Sequence, residues 1–259
     1  MTGKIRKFGK YLQNRLTKIF LYAIVEQFFL NFRSNFMRNF YIVILAFLLF
    51  SCVDVEKKYV DYKINNEVQH FGAKRVELKK GVYVYQYDGT DDYSDFGLKG
   101  QYENEEEMTF MAWVCPDKLQ DGPIIDNYSN LVWIQKDGSI KYHFKYKKTI
   151  DSKSEYHEAK SKSKYNLDEW IFITATYKQK QYVKIYVNGI LENTTIHSNM
   201  YGINYIFTNY FIGKSEHGGR GKYFYMGQID TDKINIYNKA LSDGDIKSFY
   251  NKTKKRYKF

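Results

Sequence analysis

From Val82 onward the chain alternates apolar and polar positions with a period of two. VYVYQYDG, MTFMAWVC, NLVWIQ, SIKYHFKY, WIFITATY, YVKIYVNG and NYFIGK are short runs rich in β-branched and aromatic residues, separated by turn residues. The pattern predicts an all-β domain. SIKYHFKY shows it most plainly, with Tyr142, Phe144 and Tyr146 on one face and Lys141, His143 and Lys145 on the other. Asp137-Gly138 and Asn188-Gly189 are the residue pairs that two-residue hairpin turns demand, because both central positions need positive φ. Pro116 and Pro123 each read as following a strand. The tail breaks the alternation. In LSDGDIKSFYNK, Ser242 is placed to cap a short helix whose first turn holds Asp243 and Asp245, with Ile246 and Phe249 or Tyr250 facing inward at helical spacing.

A different pattern occupies the start of the chain. Phe40 to Phe50 is an uncharged run of eleven apolar or aromatic residues, well short of the roughly 20 that a membrane-spanning helix needs. It follows Met37, Arg38 and Asn39 and precedes Ser51 and Cys52. A basic start, a short apolar stretch and a small residue are the parts of a secretory signal. Leu49-Phe50-Ser51-Cys52 resembles the lipobox of bacterial lipoproteins, which implies cleavage before Cys52 and acylation of its thiol and new amino group. On this reading residues 37–51 are the signal peptide and residues 52–70 a charged, aperiodic tether. The mature chain is then expected in the cell envelope, lipid-anchored and extracytoplasmic. Residues 1–36, basic and aromatic, read as an extension upstream of a true start at Met37 or as a basic leader lying on the membrane surface.

Charge looks different once that leader is set aside. The chain carries 40 basic and 29 acidic side chains, but residues 1–51 hold 8 basic and 1 acidic, leaving 32 and 28. A net charge of +4 on interspersed residues is an ordinary solvated surface, so nucleic acid is not an expected partner. Residues 52–259 suffice for one β domain. Cys52 and Cys115 are the only cysteines; with the first lipidated no internal disulfide forms, and Cys115 reads as a small hydrophobe at a strand end. The abundance of Tyr and Phe, 26 and 19 residues, is weak evidence for a binding face, since most such rings line a core or a sheet.

Four stretches, in order, resemble the laminin-G-like, concanavalin A-like jelly-roll family: YDGTDDY at 87–93, MTFMAWVCPD at 108–117, DEWIFITATYKQKQYVKIYVNG at 168–189 and YFYMGQIDTDKINIYNKALSDGDI at 223–246. The resemblance implies a sandwich of two antiparallel sheets over residues 71–259. It also implies a structural calcium ion held near the sheet ends, with Asp88 and Asp230 at the matching aspartates. Oxygen ligands on turns suit that cation, and Asx capping of the turn backbone is the competing role for both residues.

Chemistry beyond this is sparse. Glu103, Glu105 and Glu107 alternate as glycosidase carboxylates do, but Asn104 and Glu106 between them are polar, so the run reads as a solvated loop. HGGRGKYF at 217–224 lacks the spacing and the helix of a phosphate loop. No serine-hydrolase or zinc motif occurs. The chain is therefore expected to be non-catalytic. Trp113 and Trp170 fall in the family motifs and read as core; Trp133, with Tyr142 and His143 on the neighbouring strand, reads as a platform for a sugar, against an inward-packed Trp133. A glycan or glycoprotein is the expected partner, a protein-binding or structural envelope module the alternative, and a glycoside hydrolase the third reading.

Overall fold

The computed structural model describes residues 68–97, 106–147, 153–198, 201–202, 209–215 and 223–257. The segment read as a signal, Cys52, the stretch read as a tether up to residue 67, Glu103, Glu105 and most of the glycine-rich loop lie outside them. In chain order the strands are β1 (Gln69–Phe71), β2 (Lys74–Lys79), β3 (Val82–Asp88), β4 (Tyr93–Asp95), β5 (Glu107–Pro116) and β6 (Gly122–Asp126). Next come β7 (Asn130–Ile134), β8 (Ile140–Lys147), β9 (Ser154–Lys160), β10 (Ile171–Lys178), β11 (Tyr182–Val187) and β12 (Ile190–Ile196). The last six are β13 (Tyr201–Gly202), β14 (Phe211–Ile212), β15 (Lys214–Ser215), β16 (Tyr223–Phe224), β17 (Met226–Ile229) and β18 (Asn235–Tyr237). Helix α1 (Asp243–Thr253) closes the domain. Among the described residues no helix is long and apolar enough to cross a membrane.

Two antiparallel sheets form the sandwich. One runs β12-β11-β10-β5-β17-β3-β2, with β18 also on β5; the other runs β1-β4-β14-β6-β7-β8, with β9 and β13 on β8. Phe110, Ala112, Val114, Ile173 and Ala175 of the first face Val132, Ile134, Tyr142 and Phe144 of the second in one buried core. Across it Phe144 stacks on Tyr177 with ring centroids 3.7 Å apart.

The alternate residues of β5 and β10 are apolar too, and α1 is the reason. Met111, Trp113, Phe172 and Tyr186 point away from the sandwich and pack under Ile246, Phe249 and Tyr257. Strands covered on both faces read as continuous apolar runs, as MTFMAWVC does. Ser242 caps α1 as expected, its hydroxyl accepting the Asp245 N–H. Burying Phe249 and Ile246 stabilises the docked helix by about 1.5–3 kcal/mol each. The Asn188-Gly189 hairpin helps seat the helix. Both residues have positive φ, and a Cβ on Gly189 would lie 2.9 Å from Tyr250 Cβ.

Three sequence expectations change. Of the Asp137-Gly138 pair only Gly138 has positive φ; the turn is wider than two residues, closed by Gly138 N–H donating to Gln135 O, while the Asp137 carboxylate takes the Ser139 N–H and the Lys160 ammonium. Pro123 lies inside β6, beside a register shift against β7, where a bulge tolerates a residue that cannot donate. β1 and β2 precede Val82: β1 pairs with β4 from Gln69, inside the segment read as tether. β2 is charged and exposed along its edge, so its alternation is hidden.

Candidate functional site

The pleat separates the residues read as a platform. Trp133 faces outward on β7 and pairs with Lys141 across the ladder, and His143 faces outward on β8. Tyr142, one position away, necessarily faces the other side. It is 3% exposed in the core, its hydroxyl donating to Asn130 Oδ1 at 2.6 Å, so it takes no part in an outer platform. Trp133 is half-buried and packs edge-on against Tyr223 at 5.0 Å. Its indole N–H is buried without a hydrogen-bond partner among the described residues. His143 Nε2 and Lys141 Nζ both meet Glu158 Oε2 at 3.0 Å.

The two aspartates expected to share a calcium ion are separated as well. Asp88 pairs with Met226, whereas Ile229, next to Asp230, pairs with Tyr85. That puts Asp230 four residues, or roughly 13 Å, along the strands from Asp88. Asp230 is fully buried, and its Oδ2 accepts from Arg256 Nε at 2.8 Å and from the Tyr257 hydroxyl at 2.6 Å. A guanidinium already occupies the place of a cation there, so Asp230 does not fit the ligand role. Asp88 is exposed, and its Oδ1 caps the N–H groups of Thr90 and Asp91. These backbone bonds, Thr90 foremost, hold its carboxyl below the usual range. Carboxylate oxygens of Asp88, Asp91 and Asp92 lie within 4.8 Å of one another, an acidic turn whose Asx bonding accounts for its geometry. Glu107, the described member of the alternating three, is clamped by Lys178 at 3.0 Å and Lys239 at 2.9 Å as a structural ion-pair centre.

A groove of about 570 Å³ lies on the outer face of the first sheet, beside α1. Trp113, Cys115 and Gln228 contribute to its floor, from β5 and β17, which pair Cys115 with Gln228. Trp170, Tyr250 and Tyr257 form an aromatic wall. The wall is braced: Tyr257 lies against Trp113 at 4.2 Å and Trp170 at 4.8 Å, and Trp113 Nε1 donates to Thr253 Oγ1 at 3.0 Å. Trp113 is buried as expected, but Trp170 is only half-buried at the groove.

Asp117, Asp168 and Glu169 line the same groove. They converge because β5 and β10 run antiparallel with Val114 opposite Ile171, which sets residues 115–117 beside 168–170. Asp117 Oδ2 accepts from Gln86 at 2.6 Å and Glu169 Oε2 from Asn166 at 3.0 Å. Among the described residues the Asp168 carboxylate and the Gln228 amide have no hydrogen-bond or ion-pair partner. Asp168 is held at φ 58°, its N–H donating to Pro116 O. Burial, then the three carboxylates, pushes the Cys115 thiol up to about 12, so it stays protonated and inert as a nucleophile. Aromatic faces, free amide and carboxylate edges together suit a ring with apolar faces and polar rims. Sequence reading missed the groove; its signal was the three acids flanking the tryptophan strands, in WVCPD and DEW.

An antiparallel two-sheet jelly roll with a C-terminal helix on its back defines a laminin-G-like β-sandwich. A family model described as the concanavalin A-like lectin/glucanases superfamily matches residues 88–247, and the chain belongs to that family. No curated protein matches it. The fold is similar to the botulinum neurotoxin serotype D ligand-binding domain solved in complex with N-acetylneuraminic acid, at 17% identity and a TM-score of 0.56, covering 77% of this chain and 53% of that one. It is also similar to the binding domain of Paraclostridial mosquitocidal protein 1, at 14% identity and a TM-score of 0.55, covering 73% and 48%. A botulinum neurotoxin type C structure, from a study of cell entry through two ganglioside molecules, matches at 18% identity and a TM-score of 0.53, covering 76% and 52%. The chain thus spans about half the length of the structures it matches.

Proposed function

We propose that this chain is a non-catalytic glycan-binding domain presented outside the cytoplasm by a lipid on Cys52. The observation that carries the reading is the groove beside α1, where the half-buried rings of Trp170 and Tyr250 line the same surface as the unpartnered Gln228 amide and Asp168 carboxylate. Family membership, a neighbour solved with N-acetylneuraminic acid and another whose cell entry depends on two ganglioside molecules support a sugar as the ligand. Trp170→Ala is expected to weaken binding of any glycan captured on an array by the full chain about tenfold, since truncating an aromatic anchor costs about 1.4 kcal/mol or more. Trp133→Ala, on the other sheet, should leave it unchanged. Loss of binding with Trp133 alone would move the site to the second sheet, and release of shortened sugar would replace binding by hydrolysis.

The anchor is tested separately. Cys52→Ser is expected to abolish acyl-chain labelling and membrane partitioning, because Cys115, the other cysteine, is buried; unchanged labelling would rule out that thiol. One observation favours the protein-binding alternative: Ile190, Leu191 and Ile196 are exposed on the edge strand β12. A silent array from folded protein would shift the reading there.

A further inference from the structure

Resting on the glycan reading above, we infer that the groove beside α1 selects an amino sugar with a free, protonated amine and rejects carboxylate-bearing sugars. Its rim places Asp117, Asp168 and Glu169 around Cys115, and only Lys254 among its lining residues is cationic. Its ammonium donates to Asn251 Oδ1 at 2.8 Å and lies 5.1 Å over the Tyr250 ring, so one cation stands against three carboxylates.

The carboxylates differ in what they have left to offer. Asp117 and Glu169 each spend one oxygen on a side-chain amide, whereas Asp168 has both free of any described partner. The Asp168 backbone is held at φ 58° and tied through its own N–H to Pro116, which sets where its side chain leaves the turn. Three negative groups about one partly sheltered site attract an ammonium and repel a carboxylate, and the aromatic wall adds a cation–π surface that favours the same charge. The neutral Gln228 amide serves hydroxyl groups of either kind of sugar. The charge preference is thus opposite to that of a site for sialic acid, the sugar held by the serotype D neurotoxin domain. The shared fold does not carry the neighbour's specificity with it.

The test is calorimetric titration of the full chain in detergent at pH 6 with three trisaccharides: a glucosamine trimer, its N-acetylated counterpart and sialyllactose. The glucosamine trimer is expected to bind about tenfold tighter than the N-acetylated one, with the gap narrowing as salt is raised from about 50 to 300 mM. Sialyllactose should bind weakest. Asp168→Asn, whose side chain tolerates positive φ, and Glu169→Gln at the exposed rim should each erase most of the preference while leaving the N-acetylated trimer's affinity in place. Sialyllactose binding as tightly as the amino trimer, and losing that affinity in Trp170→Ala, would overturn the charge selection and leave the glycan reading standing. An amino-sugar preference that survives both rim variants would place the cation elsewhere and overturn it too. If none of the three binds folded protein and the glycan array is also silent, the glycan reading itself fails, and this inference with it.

Discussion

Replacing Arg256 with alanine is expected to destabilise the domain by about 3 kcal/mol and to loosen one wall of the groove. Asp230 is fully buried, and both donors to its Oδ2, the Arg256 guanidinium and the Tyr257 hydroxyl, come from the short turn after α1. Its Oδ1 has no partner among the described residues. Burial pushes the Asp230 carboxyl above its usual range, and Tyr257 and Arg256 pull back against that push. Without Arg256 the site keeps a buried charge held by one phenol. Breaking such a pair costs about 3–5 kcal/mol, and the Arg256 side chain is a quarter exposed, which argues for the lower end. Two measurements check the account. In urea unfolding, Asp230→Asn should recover part of the loss in the Arg256→Ala background, because the amide removes the uncompensated charge. The gap between wild type and Arg256→Ala should also shrink as pH falls through the raised carboxyl range, since a protonated Asp230 no longer needs the guanidinium. An Arg256→Ala protein within 0.5 kcal/mol of wild type, on the order of an ordinary surface change, would show that the clasp is not a stability element. Tyr257, whose ring braces Trp113 and Trp170, ties this result to the groove.

Gly227→Ala should be at least as damaging. Gly227 has φ 138° and pairs with Pro116 at the junction of β17 and β5. An added Cβ would collide with the Cys115 carbonyl oxygen and come within 2.8 Å of Pro116 Cα and the Tyr225 hydroxyl. Two of those obstacles are backbone, which cannot rotate aside, so the strands themselves must part. A loss of about 3 kcal/mol is expected, seen as a Tm lower by about 6–12 °C for a domain of this size. The floor of the groove should distort with it, because Cys115 and Gln228 sit on the two strands being forced apart. A Tm shift of under about 2 °C would mean that β17 does not pack on β5 as described.

The alternation in SIKYHFKY was enough to assign residues 141–146 of β8 to their faces, and the structure keeps that assignment. The same rule contradicts the platform read from Tyr142 and His143 together, and the structure separates the two onto opposite faces, since neighbours on a strand cannot share a face. MTFMAWVC was read with the alternating strands, although it is apolar at both alternating sets of positions, and the structure buries both its faces. The cover on the outer face is α1, whose own pattern, Ser242 then Ile246 and Phe249, was legible as a capped helix with one apolar stripe. Asp230 shows the opposite case. Its place in the Gly-x-Ile-Asp motif pointed to a turn aspartate open to a metal ion, and nothing nearby in the chain announced that Arg256 and Tyr257, 26 and 27 residues later, would claim its carboxylate.

Local periodicity and turn chemistry therefore determined the strands, the helix and the all-β class, because pleat and helix pitch act over a few neighbouring residues. The groove was decided only by tertiary structure. Asp117 and the Asp168-Glu169-Trp170 segment are about fifty residues apart in the chain, and they meet because β5 and β10 pair with Val114 opposite Ile171. Register between distant strands follows from how whole faces pack together, so the charge and shape of the site exist nowhere in the chain until the sheet is formed.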